Sequence, residues 1–290
     1  MVEGIKRIWK YIRYGIPVVE NKQVFPKISV LSKGELLKGR TALVTGGTSG
    51  IGYEIAKEFL KAGCIVVITG RNIRRLENAI ETLNEEIPNC KVFAFQLDNG
   101  DVAQLSQSIS SILSKFKLSQ IDILVNNAGI NSGPQGCSYE ENFDAVIKTN
   151  LKGTFFMAKI FAEYLKGNNI EGNILNIASS SSDRPVTDAY TLSKWGIKGL
   201  TKGLARVYSQ YGIVVNGIAP GPTATPMLQK GSDDNLAHSK VLTGRLVHPI
   251  EIANMAVILV SNMSRMVIGD IVYISGGAGN VYNEDVNYNF

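Results

Sequence analysis

Short apolar segments alternate with helical segments from about residue 40 to the end of the sequence. The apolar segments are TALVTG, CIVVITG, KVFAFQL, IDILVNNAG, GNILNIAS, GIVVNGIAP and DIVYIS. They lack the alternation of polar and apolar residues that is found in a strand with one solvent-exposed face. Such continuous apolar character is typical of parallel strands covered by helices on both sides. Six helical segments separate them, near residues 50–62, 72–87, 101–116, 139–166, 189–211 and 249–261. The sequence therefore predicts an α/β fold, doubly wound, with a seven-stranded parallel sheet flanked by helices.

The first 38 residues follow a different pattern. The stretch GIKRIWKYIR spaces its apolar residues at helical intervals and places lysine and arginine on the other face, which predicts a basic amphipathic helix. The next stretch contains Pro17 and Pro26 and is predicted to be extended. We therefore divide the chain into an N-terminal extension, residues 1–38, and a Rossmann-fold domain, residues 39–290. The large apolar side chains of the extension predict packing on its own domain or a neighbouring subunit, with docking on anionic lipid as the alternative.

Composition excludes several classes of protein. The formal net charge is +5, and basic residues are scattered beyond the N-terminus, so no nucleic-acid surface is predicted. The three cysteines, Cys64, Cys90 and Cys137, are widely spaced and form no CxxC motif, and there are only two histidines. Neither a disulfide framework nor a metal site is expected. No apolar run reaches the roughly 18 residues of a membrane span and no secretory signal is seen, so we predict a cytoplasmic protein.

The turn after the first strand reads VTGGTSGIG. Gly46 permits a tight turn, Gly50 lets the backbone approach a ligand, and Gly52 lets the helix pack closely on the sheet. The helix that follows offers free N–H groups and the positive end of its dipole to a pyrophosphate. The spacing is G-x-x-x-G-x-G rather than G-x-G-x-x-G, but its place between the first strand and the first helix predicts a dinucleotide site.

Four motifs, in this order, resemble those of the short-chain dehydrogenase/reductase family. TGGTSGIG is similar to the cofactor loop of the family, and NNAG, at 126–129, to its fourth-strand motif. YTLSK, at 190–194, is similar to the YxxxK active-site motif, and PGPTATPM, at 220–227, to the PG motif after the sixth strand. The resemblance covers about residues 38 to 278. It includes members that act as 3-oxoacyl-carrier-protein reductases and members that act as sugar or polyol dehydrogenases.

The resemblance implies a catalytic tetrad of Asn150, Ser179, Tyr190 and Lys194. Tyr190 and Lys194 are one helical turn apart, so they share a face. Tyr190 is expected to act as the acid when a carbonyl is reduced and as the base when an alcohol is oxidised. Lys194, with the positive charge of an oxidised nicotinamide, is expected to favour the phenolate. Ser179 would bind the substrate oxygen, with Ser180 as the alternative, and Asn150 would hold a water connecting Lys194 to solvent.

The preferred cofactor is indicated by the end of the second strand, ITGRN. An NAD site places an acidic residue there, whereas this chain has Gly70 followed by Arg71, whose guanidinium suits the 2′-phosphate of NADP. Arg71 therefore predicts NADP(H) as the preferred cofactor. NAD(H) is the alternative, because Ser49 stands where many NADP-dependent members of the family have a basic residue. The predicted cofactor-binding residues are Gly46, Thr48, Ser49, Gly50, Ile51, Gly52, Arg71, Asn72, Asp98, Asn99, Asn126, Ala128, Gly129, Tyr190, Lys194, Pro220, Gly221, Thr223 and Thr225.

The loop at about 223–246 is polar, which favours a polar small-molecule substrate such as a sugar, a polyol or a small keto compound. Arg184, near the serine run, either meets an anionic group or lies in solvent. A 3-oxoacyl thioester is the alternative substrate, although the arginines that such reductases carry near the site entrance are missing here. An alternative of another class is a non-catalytic dinucleotide-sensing or scaffold protein.

The resemblance also implies an assembly. Members of the family are commonly tetramers built from the two long helices on either side of the fifth strand. The segments TFFMAKIFAEYL and WGIKGLTKGLARVY are apolar on more than one face. We predict a homotetramer, with a dimer as the alternative.

Overall fold

The computed structural model of the chain describes residues 35–228, 231, 234–239 and 241–279. The amphipathic helix and extended segment predicted within the first 34 residues lie outside the described residues. Residues 35–38, which the predicted boundary assigns to the extension, contact the domain: Leu37 is fully buried and its N–H donates to the Ala62 carbonyl at 2.9 Å.

Seven strands and seven α-helices form the described part of the chain. The strands are β1 (Thr41–Thr45), β2 (Ile65–Gly70), β3 (Val92–Gln96), β4 (Ile123–Asn126), β5 (Gly172–Ile177), β6 (Ile213–Pro220) and β7 (Ile271–Ile274). The helices are α1 (Gly50–Lys61), α2 (Ile73–Glu86), α3 (Val102–Phe116), α4 (Tyr139–Val146), α5 (Gly153–Gly167), α6 (Ala189–Tyr208) and α7 (Pro249–Val260).

The sheet confirms the predicted topology. Its strand order is β3-β2-β1-β4-β5-β6-β7, and every neighbouring pair is parallel. The chain runs outward from β1 to β3 and then returns to place β4 on the other side of β1. In open α/β sheets a ligand binds beyond the carboxyl ends of the strands, where the order reverses. The crevice after β1 and β4 is therefore where a site is expected.

Two hydrophobic cores cover the two faces of the sheet. Neighbouring residues of one strand point to opposite faces, so Val44 packs in the core with α1, α2 and α7, whereas Leu43 packs in the core with α3, α5 and α6. The largest fully buried side chains, Phe59 of α1 and Phe161 of α5, lie one in each core. The five inner strands are thus buried on both faces, as their composition predicts, whereas the edge strands β3 and β7 are only partly buried.

The long helix predicted at 139–166 is interrupted. Between α4 and α5 the backbone forms a π-helical segment, Ile147–Lys152. Wider turns of this kind occur mostly within α-helices and often at functional sites. Here the segment carries Asn150, and Gly153 directly after it packs so tightly that a Cβ would lie 2.0 Å from the Asn99 carbonyl oxygen.

A saturated polar cluster lies at the amino edge of the sheet. The Arg40 guanidinium donates to the Asp122 carboxylate, to Asn173 Oδ1 at 2.9 Å and to the Val260 carbonyl at 3.3 Å. The second oxygen of Asp122 accepts from the Thr41 N–H at 2.8 Å. Asp122 is only 3% exposed. These bonds join β1, β4, β5 and the end of α7, so the cluster fixes the sheet at the edge opposite the crevice.

Candidate active site

A cleft of about 560 Å³ opens at the carboxyl edge of the sheet. It runs from the end of β2, past the glycine turn after β1, to the loops after β5 and β6. Its size is within the range of pockets that hold small molecules and cofactors. The predicted site residues that line it are Gly46, Thr48, Ser49, Gly50, Ile51, Arg71, Asn72, Asp98, Asn99, Ala128, Gly129, Ser179, Tyr190, Lys194, Pro220, Gly221, Thr223 and Thr225.

Two residues of the predicted cofactor set do not line the cleft, Gly52 and Asn126. A Cβ on Gly52 would lie 2.4 Å from the Gly46 carbonyl oxygen, so this glycine serves close packing of α1 against the turn. The Asn126 side chain is buried inside the sheet, where its Nδ2 donates to Asn176 Oδ1 at 3.0 Å. The next residue, Asn127, lines the cleft instead. The NNAG motif thus borders the cleft through its second asparagine.

The turn after β1 has the backbone that its glycines allow. Gly46 and Gly50 have φ angles of 67° and 57°, in the left-handed region that favours glycine. A Cβ on Gly46 would lie 2.9 Å from the Ala128 Cα, in the loop after β4. The turn can therefore lie directly against that loop and leave the cleft open above both.

Helix α1 begins without a side-chain cap. Ser49 holds the N-cap position but makes no capping hydrogen bond, whereas Asn72, Asp101 and Asp188 accept backbone N–H groups at the starts of α2, α3 and α6. Because Ser49 and Ile51 line the cleft, the first-turn N–H groups of α1 are available there. They fit an anionic pyrophosphate, which would also meet the positive end of the helix dipole.

A buried acceptor without a partner lies further along the cleft. Asn99 is 6% exposed, and its Nδ2 donates to the Thr149 carbonyl at 2.9 Å. Within the described part of the chain, Asn99 Oδ1 has no hydrogen-bond partner. A buried acceptor left unpaired is costly. Together with the uncapped helix, this atom fits a ligand with both anionic and hydrogen-bond donor groups, as a dinucleotide has.

Two arginines border the cleft at the end of β2. Arg71 follows Gly70, and Arg75 lies in the first turn of α2. The Arg71 carbonyl accepts from Gln96 Nε2 at 2.9 Å, and Asn72 Oδ1 accepts from the Arg75 N–H at 3.1 Å. Neither guanidinium forms an ion pair with the described residues. Arg75 was missed by the sequence analysis, although the start of α2 at Ile73 places it one turn after Arg71.

Tyr190 and Lys194 enter the cleft together from the first two turns of α6. Asp188 caps this helix by accepting the Thr191 N–H at 2.7 Å, which sets its starting point. Lys194 Nζ lies 5.6 Å from the centroid of the Tyr190 ring and donates to the Ile177 carbonyl at 2.8 Å. The two side chains share one helix face, as their spacing predicts.

Burial controls the protonation of both groups. Burial raises the pKa of Tyr190, while a hydrogen bond with the Ser179 side chain opposes that rise. Burial also lowers the pKa of Lys194 to about 8. Lys194 was expected to lower the pKa of Tyr190, but in the ligand-free chain removal from water outweighs any attraction between the two groups. Tyr190 is therefore a protonated phenol at neutral pH.

The serine run after β5 places three residues at the cleft, Ser179, Ser180 and Ser181. Ser179 accepts a hydrogen bond from the Ser181 N–H at 3.1 Å and reaches the Tyr190 phenol. Ser180 begins a short 3-10 turn, and its carbonyl packs beneath Gly279. The contact with Tyr190 favours Ser179 over Ser180 as the residue that binds a substrate oxygen.

Asn150 lies behind the cleft, in the π segment, and is fully buried. Its Oδ1 accepts from the Ile130 N–H at 2.8 Å, and its Nδ2 donates to the Ile130 carbonyl at 2.8 Å and to Ser193 Oγ at 3.3 Å. Ser193 Oγ in turn donates to the Tyr190 carbonyl at 2.6 Å. Both N–H groups of the carboxamide are thus used inside the fold. The side chain braces the loop after β4 against the helix that carries Tyr190.

Other kinds of site find little support in the described residues. No group of three or more histidine, cysteine, aspartate or glutamate side chains among them could hold a metal ion. Their helices are also too short or too polar to cross a bilayer.

The sequence matches known proteins over most of its length. The family model described as short chain dehydrogenase matches residues 40–236. A 3alpha-hydroxysteroid dehydrogenase of Mediterraneibacter gnavus is 34% identical over 248 residues, which is 84% of this chain and 98% of the relative. Gluconate 5-dehydrogenase of Gluconobacter oxydans is 32% identical over 248 residues, which is 83% of this chain and 95% of the relative.

Two solved structures similar to this chain contain a nicotinamide cofactor. Actinorhodin polyketide ketoreductase with NADPH has a TM-score of 0.74 and 29% identity, over 85% of this chain and 99% of that chain. The 3-ketoacyl-(acyl-carrier-protein) reductase from Brucella melitensis, complexed with NADH, has a TM-score of 0.73 and 31% identity, over 84% of this chain and 99% of that chain.

Proposed function

The chain belongs to the short-chain dehydrogenase family, whose members are oxidoreductases acting on alcohols and ketones, and we propose that it uses NADP(H) to interconvert an alcohol and a carbonyl on a polar small molecule. One observation supports this most strongly. A single cleft joins two arginines at the end of β2, which form no ion pair with the described residues, to Ser179 after β5 and to Tyr190 and Lys194 of α6. A dinucleotide lying along the sheet edge would connect the two ends.

The cofactor half of the proposal rests on charge and on the backbone. The uncapped start of α1 would hold the pyrophosphate, and Arg71 with Arg75 would hold the 2′-phosphate of NADP. The nicotinamide, when bound, supplies the hydride transfer. Structures similar to this chain contain NADPH in one case and NADH in another. NAD(H) is therefore the alternative cofactor, and the arginines are the reason to prefer NADP(H).

The chemical half of the proposal rests on Tyr190. In reduction its phenol would donate a proton to the substrate oxygen while the Ser179 hydroxyl holds that oxygen. In oxidation the phenol must first lose its proton, and Lys194 would then stabilise the phenolate once an oxidised nicotinamide adds its positive charge nearby. Asn150 would keep the helix carrying Tyr190 in register with the loop after β4. Because the pKa of Tyr190 is raised, its phenol carries the proton that reduction would require.

The substrate is proposed to be a sugar, a polyol or a small keto compound. The polar loop after β6 and the similarity to a gluconate dehydrogenase support this choice. A 3-oxoacyl thioester is the alternative, favoured by one observation. Met227 and Leu228 line the cleft and remain 45% and 48% exposed, so an apolar chain could lie on them. The presence of Tyr190 and Lys194 together at the cleft argues against a non-catalytic sensor or scaffold.

The proposed assembly is a homotetramer in the cytoplasm, with a dimer as the alternative. An apolar depression between the π segment, α5 and α6 is lined by Ile147, Leu151, Phe155, Phe156 and Leu200. Contact with a second copy would bury it. The free state of Cys64, Cys90 and Cys137 fits a reducing compartment. Light scattering at micromolar concentration measures the assembly, and a monomer there would contradict it.

A substrate panel tests the proposed reaction. Ketones, oxo acids and an acetoacetyl thioester are offered with NADPH, and sugars, sugar acids and polyols with NADP, while the nicotinamide absorbance is followed. Turnover of a polar carbonyl or alcohol is expected, faster with NADP(H) than with NAD(H). Turnover of the thioester alone would favour the alternative substrate, and no turnover across the panel would count against the proposal.

A further inference from the structure

Arg184 borders the cleft at the same end as Ser179 and Tyr190. It directly follows the 3-10 turn Ser180–Asp183, in the loop between β5 and α6. It is partly buried rather than fully exposed. Arginine is always charged, so its position next to the proposed reaction centre affects which substrates can enter.

The backbone of Arg184 is held from both sides. Its N–H donates to the Ser181 carbonyl at 3.1 Å, and its carbonyl accepts from Trp195 Nε1 at 2.8 Å. Trp195 lies on α6 directly after Lys194. The loop that carries Arg184 is therefore fixed to the helix that carries the Tyr190 phenol, and the guanidinium starts from a defined place at the cleft.

The acidic residues near Arg184 are engaged elsewhere. Asp183 pairs with Lys198 on α6. Asp188 accepts from the Thr191 N–H at 2.7 Å and the Thr191 hydroxyl at 3.1 Å. Arg184 itself forms no ion pair with any residue that the structure describes. Its charge is thus not neutralised by its own loop.

Arg184 is too far from the other cleft arginines to share their ligand. Arg71 and Arg75 follow β2, whereas Arg184 follows β5, and β1 and β4 lie between these strands. Three interstrand steps of about 4.8 Å separate the two ends by roughly 14 Å. A 2′-phosphate at the β2 end would leave Arg184 unused, so Arg184 is available to a second anionic group.

We propose that Arg184 binds a carboxylate on the substrate, so that the preferred substrates are oxo acids and hydroxy acids rather than neutral ketones and alcohols. The planar guanidinium presents two parallel N–H groups that match a carboxylate. The reacting oxygen would then lie at Ser179 and Tyr190, with the acid group towards the β5–α6 loop. This deepens the proposed function and rests on it, because it assigns the β5 end of the cleft to the substrate.

Binding to dead-end complexes tests the charge preference without turnover. Acetoacetate and its methyl ester are titrated calorimetrically into protein saturated with NADP⁺, and gluconate and sorbitol into protein saturated with NADPH. The members of each pair differ chiefly in the charged group. We expect the acid to bind at least about tenfold more tightly in at least one pair, as a charge-assisted bidentate contact provides. Arg184→Ala should remove that preference while neutral probes keep their affinity, and Arg184→Lys should retain part of it.

Arg206→Ala is the matched control, because Arg206 is an exposed arginine on α6 that does not line the cleft. It should keep the acid preference of the unmodified protein. Equal binding of acid and neutral probe in both pairs, no measurable binding of either acid, or an acid preference that survives Arg184→Ala would each overturn the proposal. An acid preference lost in Arg184→Ala, but with no hydride exchange on any acid in the catalytic direction, would uphold the carboxylate site and instead refute the proposed reaction.

Discussion

The two edges of the sheet carry polar clusters that differ in how completely they are satisfied. At the amino edge, Arg40 and Asp122 bond to each other and to atoms from three further elements. At the carboxyl edge, Asn99 Oδ1 has no partner among the described residues, α1 starts without a side-chain cap, and burial lowers the pKa of Lys194 to about 8. One cluster is closed within the fold, whereas the other keeps open hydrogen-bonding positions at the proposed cofactor cleft.

This difference gives a physical criterion for telling the two kinds of polar residue apart. When every hydrogen bond of a buried polar group is made within the chain, removing one partner leaves the others buried without a hydrogen bond. Such a substitution therefore lowers the stability of the fold. A buried polar group with open bonds costs stability in the free protein and is retained for what it binds. Substitutions at the two edges should therefore act on different quantities and, for stability, in opposite directions.

The largest effect is expected from Tyr190→Phe, at the carboxyl edge. Losing the phenolic proton should lower turnover by about 10²- to 10⁴-fold, because a positioned acid contributes on that order. The melting temperature and NADPH affinity should hardly change, since the ring remains. Steady-state rates with a substrate from the panel measure the effect, and Tyr139→Phe, at a 77% exposed tyrosine, is the control. Near-normal turnover would remove Tyr190 from the mechanism.

Asp122→Ala should act on stability instead. It leaves the partly exposed Arg40 guanidinium without its carboxylate and the Thr41 N–H without its acceptor, which should cost about 2 to 4 kcal/mol of unfolding free energy. The turnover of the protein that remains folded should be unchanged, because the amino edge lies at the opposite end of the strands. Urea unfolding measures the loss, and Asp144→Ala, at an exposed aspartate of α4, is the control. A loss below about 1 kcal/mol would mean that the cluster is dispensable.

Lys194→Met should increase the free energy of unfolding, whereas Asp122→Ala should decrease it. The pKa of Lys194 is about 8 in the folded chain against an ordinary value of 10.5, so the folded state suffers the cost of a buried charge below pH 8. Between these values the unfolded chain binds more protons, and the stability of the unmodified protein rises with pH. The ligand-free variant should therefore gain about 1 to 3 kcal/mol near pH 7, and the gain should shrink as the pH rises towards 10.5.

Unfolding of the ligand-free proteins at about pH 7 and pH 9.5 measures this gain, and turnover should be lost in the same variant. A Lys194→Met protein that is less stable than the unmodified protein near pH 7 would contradict the comparison between the edges. It would show that the bond from Lys194 Nζ to the Ile177 carbonyl outweighs the cost of burial.

Arg71→Ala should have the smallest effect, confined to one ligand. NADP should bind about 10- to 100-fold more weakly, because one charge-assisted contact to the 2′-phosphate is lost, while NAD binding should hardly change. Arg74→Ala is the control, since Arg74 lies three residues after Arg71, in the first turn of α2, but does not line the cleft. Titration of both cofactors measures the difference. Tighter binding of NAD than NADP by the unmodified protein would refute the proposed preference.

The sheet and the glycine turn could be predicted because their causes are local. Apolar runs without alternation require burial on both faces, and the φ angles of Gly46 and Gly50 are ones that glycine adopts readily. The spacing of Tyr190 and Lys194 likewise settles which face they share. For these features, pattern and structure agree because neighbouring residues alone decide the outcome.

The features that were not predicted depend on contacts between distant segments. The sequence around Asn150 has continuous helical character. In the structure, Asn150 lies in a π segment and its side chain forms hydrogen bonds with the backbone of Ile130, twenty residues earlier. Whether Asn126 or Asn127 faces the cleft depends on the residue at which β4 ends. The direction of the Tyr190 pKa depends on how deeply α6 is buried. None of these can be obtained from the spacing of residues along the chain.

The pairing of β1 with strands on both sides also bears on how the chain folds. Ala42 pairs with Val66 of β2 on one side and with Ile123 of β4 on the other. Closing the second, roughly 80-residue loop costs about 1 kcal/mol more than closing the first, so the junction of β1 with β4 is expected to form late. The cleft lies across that junction. NADP present during refolding should therefore stabilise the last stage of assembly, and a chain stalled before it would have both halves of the sheet but nowhere to bind the dinucleotide.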